Sequence, residues 1–259
     1  MVRTKIDTNL FSFFEYAALA FGKPCSAREG YSVVDLRPSP WARGVFRLDL
    51  SFDENLPKAL AERVAAEEIP NRVRLGPTTL PAEAGRLLEN AGFVVGRMSR
   101  GMSLELKSRL KPTQPNGLDL TLLSTDEEYS GFSGIVTANL FSDKPESVPV
   151  FAGLLRSLGA QRCFGVLGLV DGEPVSTAFA YIDEGGMGGL YFVATATEAR
   201  GRGFGSATVS AALGELERWG ASSCILHATE LGRPVYAALG FSDDCALPIY
   251  SLPEGRLDS

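Results

Sequence analysis

The chain has one histidine, His227, among 259 residues, and its four cysteines (Cys25, Cys163, Cys224, Cys245) are scattered with no C-x-x-C pair. A zinc site draws on clustered Cys and His, so no metal is expected. Cys163 and Cys224 fall in apolar, strand-like runs, where a thiol reads as a small buried hydrophobe. Thiols so dispersed suit a reducing cytoplasm. Long hydrophobic runs are missing too. The longest apolar-plus-glycine stretch, residues 163–170, falls far short of the ~20 residues that cross a bilayer. Arg3 and Lys5 precede an apolar segment ending Ala18-Leu19-Ala20, but Asp7, Asn9 and Glu15 interrupt it, so it does not make a secretory leader. Excess positive charge is absent: the formal net charge is −6, which argues against nucleic acid and anionic membranes and suits a cationic amine substrate.

Two phosphate-binding patterns are absent as well. No Lys follows the glycines of Gly201-Arg202-Gly203-Phe204-Gly205, which excludes a Walker loop. A dinucleotide fingerprint needs Gly or Ala where Ser206 stands, so a nicotinamide oxidoreductase is a third-ranked reading.

Hydrophobic residues make up 45% and charged residues 22%, the composition of a globular protein with ample length for a core. In the first half, Leu10, Phe14, Ala17 and Phe21 recur at helical spacing, predicting an amphipathic helix. Strands are expected over 31–36 and 45–50, helices over 57–68 and 81–90, and a closing strand over 101–106. Gly92 suits a left-handed helix cap. The polar stretch Lys111-Pro112-Thr113-Gln114-Pro115-Asn116-Gly117 is the best linker. Domains are therefore expected at 1–110 and 118–259.

In the second half, the pattern predicts a strand at 118–123, helices at 126–140 and 148–158, and strands at 163–170, 174–182 and 189–194. A helix at 206–219, a strand at 223–228, a helix at 233–239 and a terminal strand to 252 follow. The stretch between strand 189–194 and its helix contains glycines that let consecutive N–H groups approach an anion. The helix behind it adds unsatisfied donors and its positive dipole end.

Arg200, Gly203 and Gly205 spell R-x-x-G-x-G, which resembles the acyl-CoA-binding signature of the GCN5-related N-acetyltransferase (GNAT) family. About thirty residues on, the stretch 226–241 ends in Tyr236-Ala237-Ala238-Leu239-Gly240-Phe241 and resembles the family's second signature, Y-x-x-x-G-F. Element order βααβββαβαβ over roughly 118–252 is that of the GNAT fold, an α/β (α+β) mixed sheet. An internal echo suggests a tandem: Leu87-Leu88-Glu89-Asn90-Ala91-Gly92-Phe93 is similar to Val235-Tyr236-Ala237-Ala238-Leu239-Gly240-Phe241. The first half lacks the cradle and has Leu88 where the second has Tyr236, so it is expected to be a degenerate GNAT-like domain, and the chain to carry one site.

The resemblance implies an acetyl-CoA-dependent N-acetyltransferase acting by direct attack of a primary amine in a ternary complex, its acceptor a small or amino-acid-like molecule held where the domains meet. Such an amine must lose a proton, its free pKa being about 10 if lysine-like. The carbonyl oxygen needs a donor, which the resemblance puts at the backbone of Val193. Ala194 and Thr195 continue that contact, and Gly201, Arg202, Gly203, Phe204, Gly205 and Ser206 take the pyrophosphate. Arg200 and Arg202 add charge, with one of the two expected to face the ligand; Arg233 is a further phosphate contact. Tyr236 stands at the family's general-acid tyrosine, to reprotonate the leaving thiolate; the plainer role is packing between helix and sheet. His227 and Glu230 are candidate bases, against a structural histidine, a solvated glutamate, or ordered water. Thr229 stands where the family often has asparagine. The competing reading is an acyl-CoA-binding regulatory module with little catalysis. A homodimer is compatible with all of this, and the first domain is left to shape the pocket, mediate dimerisation or persist as a remnant.

Overall fold

Among the described residues eleven strands join into one sheet, and the two halves of the chain meet inside it rather than side by side. The computed structural model describes residues 3–141 and 145–253. The elements are α1 (Arg3–Ala20), β1 (Ser26–Arg28), β2 (Tyr31–Asp35), β3 (Arg43–Phe46), α2 (Leu56–Ala65), β4 (Val73–Arg74), α3 (Ala84–Asn90) and β5 (Val94–Glu105). They continue with β6 (Asp119–Leu122), α4 (Asp126–Val136), α5 (Ser147–Ser157), β7 (Cys163–Val170), β8 (Glu173–Ile182), β9 (Gly188–Thr195), α6 (Phe204–Arg218), β10 (Ser223–Ala228), α7 (Arg233–Ala238) and β11 (Ser242–Ser251). A π-helical turn, Thr137–Phe141, extends α4. From β6 onward the order is the one the sequence pattern predicts.

The sheet runs β1-β2-β3-β4-β11-β5-β10-β9-β8-β7-β6. Its parallel pairs are β3 with β4 and β10 with β9. The closing strand of the first half, β5, lies between β10 and β11, antiparallel to both. The closing strand of the second half, β11, pairs in turn with β4 of the first. Each half thus receives the other's last strand. The sequence pattern located both strands but left their partners unassigned; β5 is also twice as long as expected, because residues 94–99 continue along β11 after β10 has ended.

Alternation along the strands sets two faces. Val166, Ala178 and Ala180 join α6 and α7 in one apolar cluster, while Leu167, Phe179 and Tyr181 join α1, α4 and α5 in another. In the first half Val45 and Val73 pack with α2 and α3. Helix α1 belongs to the first half by sequence, yet packs on both. Phe13 is fully buried, with Trp41 at 4.7 Å, Tyr181 at 4.9 Å and Tyr191 at 4.5 Å between ring centroids. The expected stripe is present in Leu10, Phe14 and Ala17, but Phe11, Phe13 and Ala18 are buried too, so the apolar face is wider than an amphipathic surface helix needs. Phe21 lies just past the helix end. Asn9, also buried, donates to Asp183 Oδ2 (2.9 Å) and to the Met187 carbonyl (3.0 Å), and accepts from the Tyr191 hydroxyl (2.6 Å). Saturating its donors and acceptor removes the cost of burying the amide and pins α1 to the start of β9.

Candidate active site

Strands β9 and β10 pair only at Cys224–Gly188, Ile225–Gly189 and Leu226–Leu190. Beyond Leu190 the ladder stops although both strands continue, so they part at their carboxy-terminal ends. The cause lies in β9. Thr177 of β8 pairs with Ala194 and Phe179 with Tyr191, leaving Phe192 and Val193 opposite the single residue Ala178. This is a β-bulge, which redirects main-chain groups and increases twist. Phe192 adopts φ +50°, a conformation costing a non-glycine residue on the order of 1–3 kcal/mol. Two contacts offset it. The Phe192 ring sits among Trp41 (4.9 Å), Phe151 (5.0 Å) and Phe179 (5.7 Å). Thr177 Oγ1 donates to the Phe192 carbonyl (2.8 Å) and accepts from the Ala194 N–H (3.1 Å). Val193 turns to the opposite face, against the cluster that contains Tyr236. Local sequence does not signal this bulge, since Phe192 and Thr177 are ordinary strand residues.

Just past Thr195, residues 197–199 make a 3-10 turn and Arg200 to Gly203 run exposed over the surface. Gly201 (φ +76°) and Gly203 (φ +81°) take left-handed conformations, and Gly203 caps α6. The helix starts at Phe204, two residues earlier than the sequence pattern predicts. The Ala207 N–H bonds to the Gly203 carbonyl (3.1 Å), so the amides of Phe204, Gly205 and Ser206 precede the first intrahelical bond. A Cβ on Gly205 would stand 2.7 Å from Thr195 Oγ1; only glycine fits where the helix crosses the strand end. These unbonded amides, behind the exposed left-handed turn at Gly201 and Gly203, fit a pyrophosphate.

The two arginines differ. Arg200 is fastened to the Thr195 carbonyl (3.2 Å) and to Asn139 Oδ1 (2.7 Å) of the π-helical turn. Arg202 stacks over the Phe204 ring at 4.5 Å and makes no ion pair among the described residues. Arg202 therefore has the charge to offer, while Arg200 braces the turn. Arg233 forms an ion pair with Asp243, with Nε 2.6 Å from Oδ2, which ties α7 to β11 and commits its guanidinium.

Tyr236 is buried on α7, its ring edge-on to Phe241 at 6.0 Å. Burial raises its phenol above the usual range, and the hydroxyl has no hydrogen-bond partner among the described residues. It keeps its proton and has it free to give. Thr229 does not reach toward a ligand: its hydroxyl accepts from the Gly232 N–H (3.2 Å) and its carbonyl from Arg233 (2.9 Å), closing the loop that starts α7.

His227 sits on the α1 face of β10, opposite Leu226. Its Nε2 is 3.0 Å from the Ile6 carbonyl; a carbonyl only accepts, so this nitrogen carries the proton. Burial first, and the Arg74 charge in addition, push its pKa down to about 4. The ring is a neutral strut between α1 and β10, the structural alternative of the two. Glu230 is exposed and paired with Arg100 at 3.3 Å. Neither side chain stands as an evident base.

The first half has no such opening at its own parallel pair. Its parallel pair, Val45 with Val73, is the counterpart of β9 and β10. There the gap is laced shut: the Leu80 N–H bonds to the Leu48 carbonyl (3.1 Å) and the Leu50 N–H to the Leu80 carbonyl (2.7 Å). Asp53 and Glu54 precede α2 where a phosphate would need donors, and Leu88 is buried on α3. A separate cavity of about 590 Å³, lined by Ser12, Tyr16 and Asp183 among others, lies at the opposite end of β9 from the glycine turn. Eight strand residues separate them, about 25 Å, so it is not part of this site.

The chain thus has a mixed α/β sheet in which a bulged, splayed parallel pair opens onto a glycine-capped helix. Residues 126–241 match the Acetyltransferase (GNAT) family. The chain matches no curated protein. Among solved structures it is similar to a GCN5-related N-acetyltransferase from Kribbella flavida, at 18% identity and TM-score 0.71, covering 95% of this chain and 96% of that one. A tandem GNAT protein from the clavulanic acid biosynthesis pathway matches at 14% identity and TM-score 0.61, over 85% and 76% of the two chains. A GCN5-related N-acetyltransferase from Sphaerobacter thermophilus matches at 15% and 0.59, over 88% and 74%. At such identities the likeness is one of fold. No described helix is long and apolar enough to cross a membrane.

Proposed function

We propose that this protein transfers an acetyl group from acetyl-CoA to the primary amine of a small or amino-acid-like acceptor, by direct attack in a ternary complex. What carries the reading is the coincidence, at one end of β9, of the Phe192–Val193 bulge, the exposed Gly201–Gly203 turn and an unbonded, protonated Tyr236 hydroxyl. In this reading Val193, Ala194 and Thr195 hold the thioester arm, and the donors from Gly201 to Ser206, with Arg202, hold the pyrophosphate. The amine nitrogen bonds to the carbonyl carbon as the C–S bond breaks. The leaving sulfur takes a proton from Tyr236, and the amine loses one to water, because His227 and Glu230 are otherwise engaged. Residues 1–110 supply α1 and β5 as a wall of the site, with 111–117 as the connection to 118–259.

An acyl-CoA-binding regulatory module is the competing reading, and the free Tyr236 hydroxyl favours the enzyme, since a sensor has no use for a proton donor. Thiol release followed over a panel of amines tests it, with thermal shifts for acetyl-CoA alongside. Binding of acetyl-CoA without thiol release on any amine would leave only the regulatory module.

A further inference from the structure

Helix α1 packs over Arg74, one of three neighbouring arginines that the reaction does not use; Arg72 and Arg97 are exposed. On β4, Val73 points into the α2–α3 layer, so its neighbours Arg72 and Arg74 point to the α1 face. Ile249 of β11 is in register with Arg74 on one side and with Arg97 of β5 on the other. Arg74 and Arg97 therefore share a row, about 10 Å apart across two strand spacings. None of the three makes an ion pair with a described residue. Arg74 Nε is buried without an acceptor, and its guanidinium lies over the Phe14 ring at 5.3 Å. Burial first, and the charges of Arg72 and Arg97 in addition, weigh against the Arg74 charge.

The row lies beside the carboxy-terminal end of β10. Arg74, Ser99 and His227 line one small cavity of about 20 Å³, and His227 is next to the last residue of β10. Arg97 lies three residues past Arg100, which pairs with Ala228 at the β10 tip, so it stands about 10 Å beyond that tip. The carboxylate lining the same cavity, Asp7, gives Oδ2 to the Thr78 N–H (2.9 Å) and hydroxyl (2.6 Å), and burial raises its pKa. It makes no ion pair with the arginines among the described residues, and its Oδ1 is buried without a hydrogen-bond partner.

We propose that Arg72, Arg74 and Arg97 form an oxyanion-binding site that holds a carboxylate or phosphate group of the acceptor, with the reacting amine toward the β10 tip. This rests on the acyltransferase reading, and two independent measurements separate the two. Calorimetric titration of the full chain with inorganic phosphate and with succinate tests the site without turnover. One of the two anions is expected to bind, and R72Q/R97Q, both at exposed positions, to abolish it; which anion binds distinguishes phosphate from carboxylate. Kinetics with paired amines, alike except for an anionic group, test the acceptor. The double variant is expected to lower the preference for the anionic amine at least about tenfold, the scale of a lost charge-assisted hydrogen bond. R28Q, on β1, leaves that preference unchanged. If neither anion binds, or binding survives R72Q/R97Q, the site is wrong. If anion binding is lost but the preference is kept, the assignment to the acceptor is wrong. If no amine turns over while acetyl-CoA binds, the enzyme reading falls and the titration alone decides this one.

Discussion

Ser99 and Leu247 face each other across the central strand pair, and each stands six residues after the Gly-Phe that ends its half's last helix. Residues equivalent by the internal echo thus meet on a local twofold, as they must if two similar units exchange their final strands. The exchange makes each half incomplete without the other.

Cutting the chain between 111 and 117 is therefore expected to yield two fragments that do not fold alone, because residues 118–253 without β5 expose the facing edges of β10 and β11. Unpaired edges of that kind associate nonspecifically. Co-expression of the halves should restore a single species. Size-exclusion chromatography and the acetyl-CoA thermal shift report the result; a monodisperse, ligand-binding fragment 118–253 would contradict it.

Tyr236→Phe keeps the packing and removes only the oxygen. Turnover with saturating substrates should fall at least about 10²-fold, the lower end of general-acid contributions, while the calorimetric Kd for acetyl-CoA stays the same. Unchanged turnover would confine Tyr236 to packing.

Gly205→Ala drives a methyl to 2.7 Å from Thr195 Oγ1. A loss of about 1–3 kcal/mol, as for other overpacking changes, is expected in denaturant unfolding, with weaker acetyl-CoA binding. Adding Thr195→Gly should recover part of both, and failure of that pair to couple would remove the contact from the account.

His227 has a depressed pKa, about 4 in the folded protein against about 6.5 unfolded. Between these values the unfolded chain binds more protons, so stability rises with pH through that window and is lost as pH falls from 6.5 toward 4. The full shift corresponds to up to about 3 kcal/mol. His227→Gln keeps an N–H for the Ile6 carbonyl and does not titrate. The difference between the two proteins in unfolding free energy should shrink with that slope from pH 7 to pH 4; parallel curves would show the ring to be solvated.

Much of the site was legible because its requirements are local. A left-handed turn demands glycine at 201 and 203, and a helix end within a strand's width of Thr195 demands it at 205. The tyrosine follows a fixed number of residues after its strand. His227 was legible as a candidate base or a structural histidine, but its partner was not, since the Ile6 carbonyl lies 221 positions away. The arginines of the α1 face were not singled out at all: Arg72, Arg74 and Arg97 are dispersed surface charges until β11 comes between their strands.

The amino-acid sequence by itself determined the order of elements, the glycine turn, the tyrosine and the loss of both from the first half, because each depends on torsions or spacing within a few neighbouring residues. Tertiary structure alone decided that β5 and β11 trade places, that Phe192 is held at a positive φ, and that Arg74 and Arg97 share a row across β11. Those outcomes depend on which surfaces bury together, and strand edges with similar alternation carry no local mark of which edge they will meet.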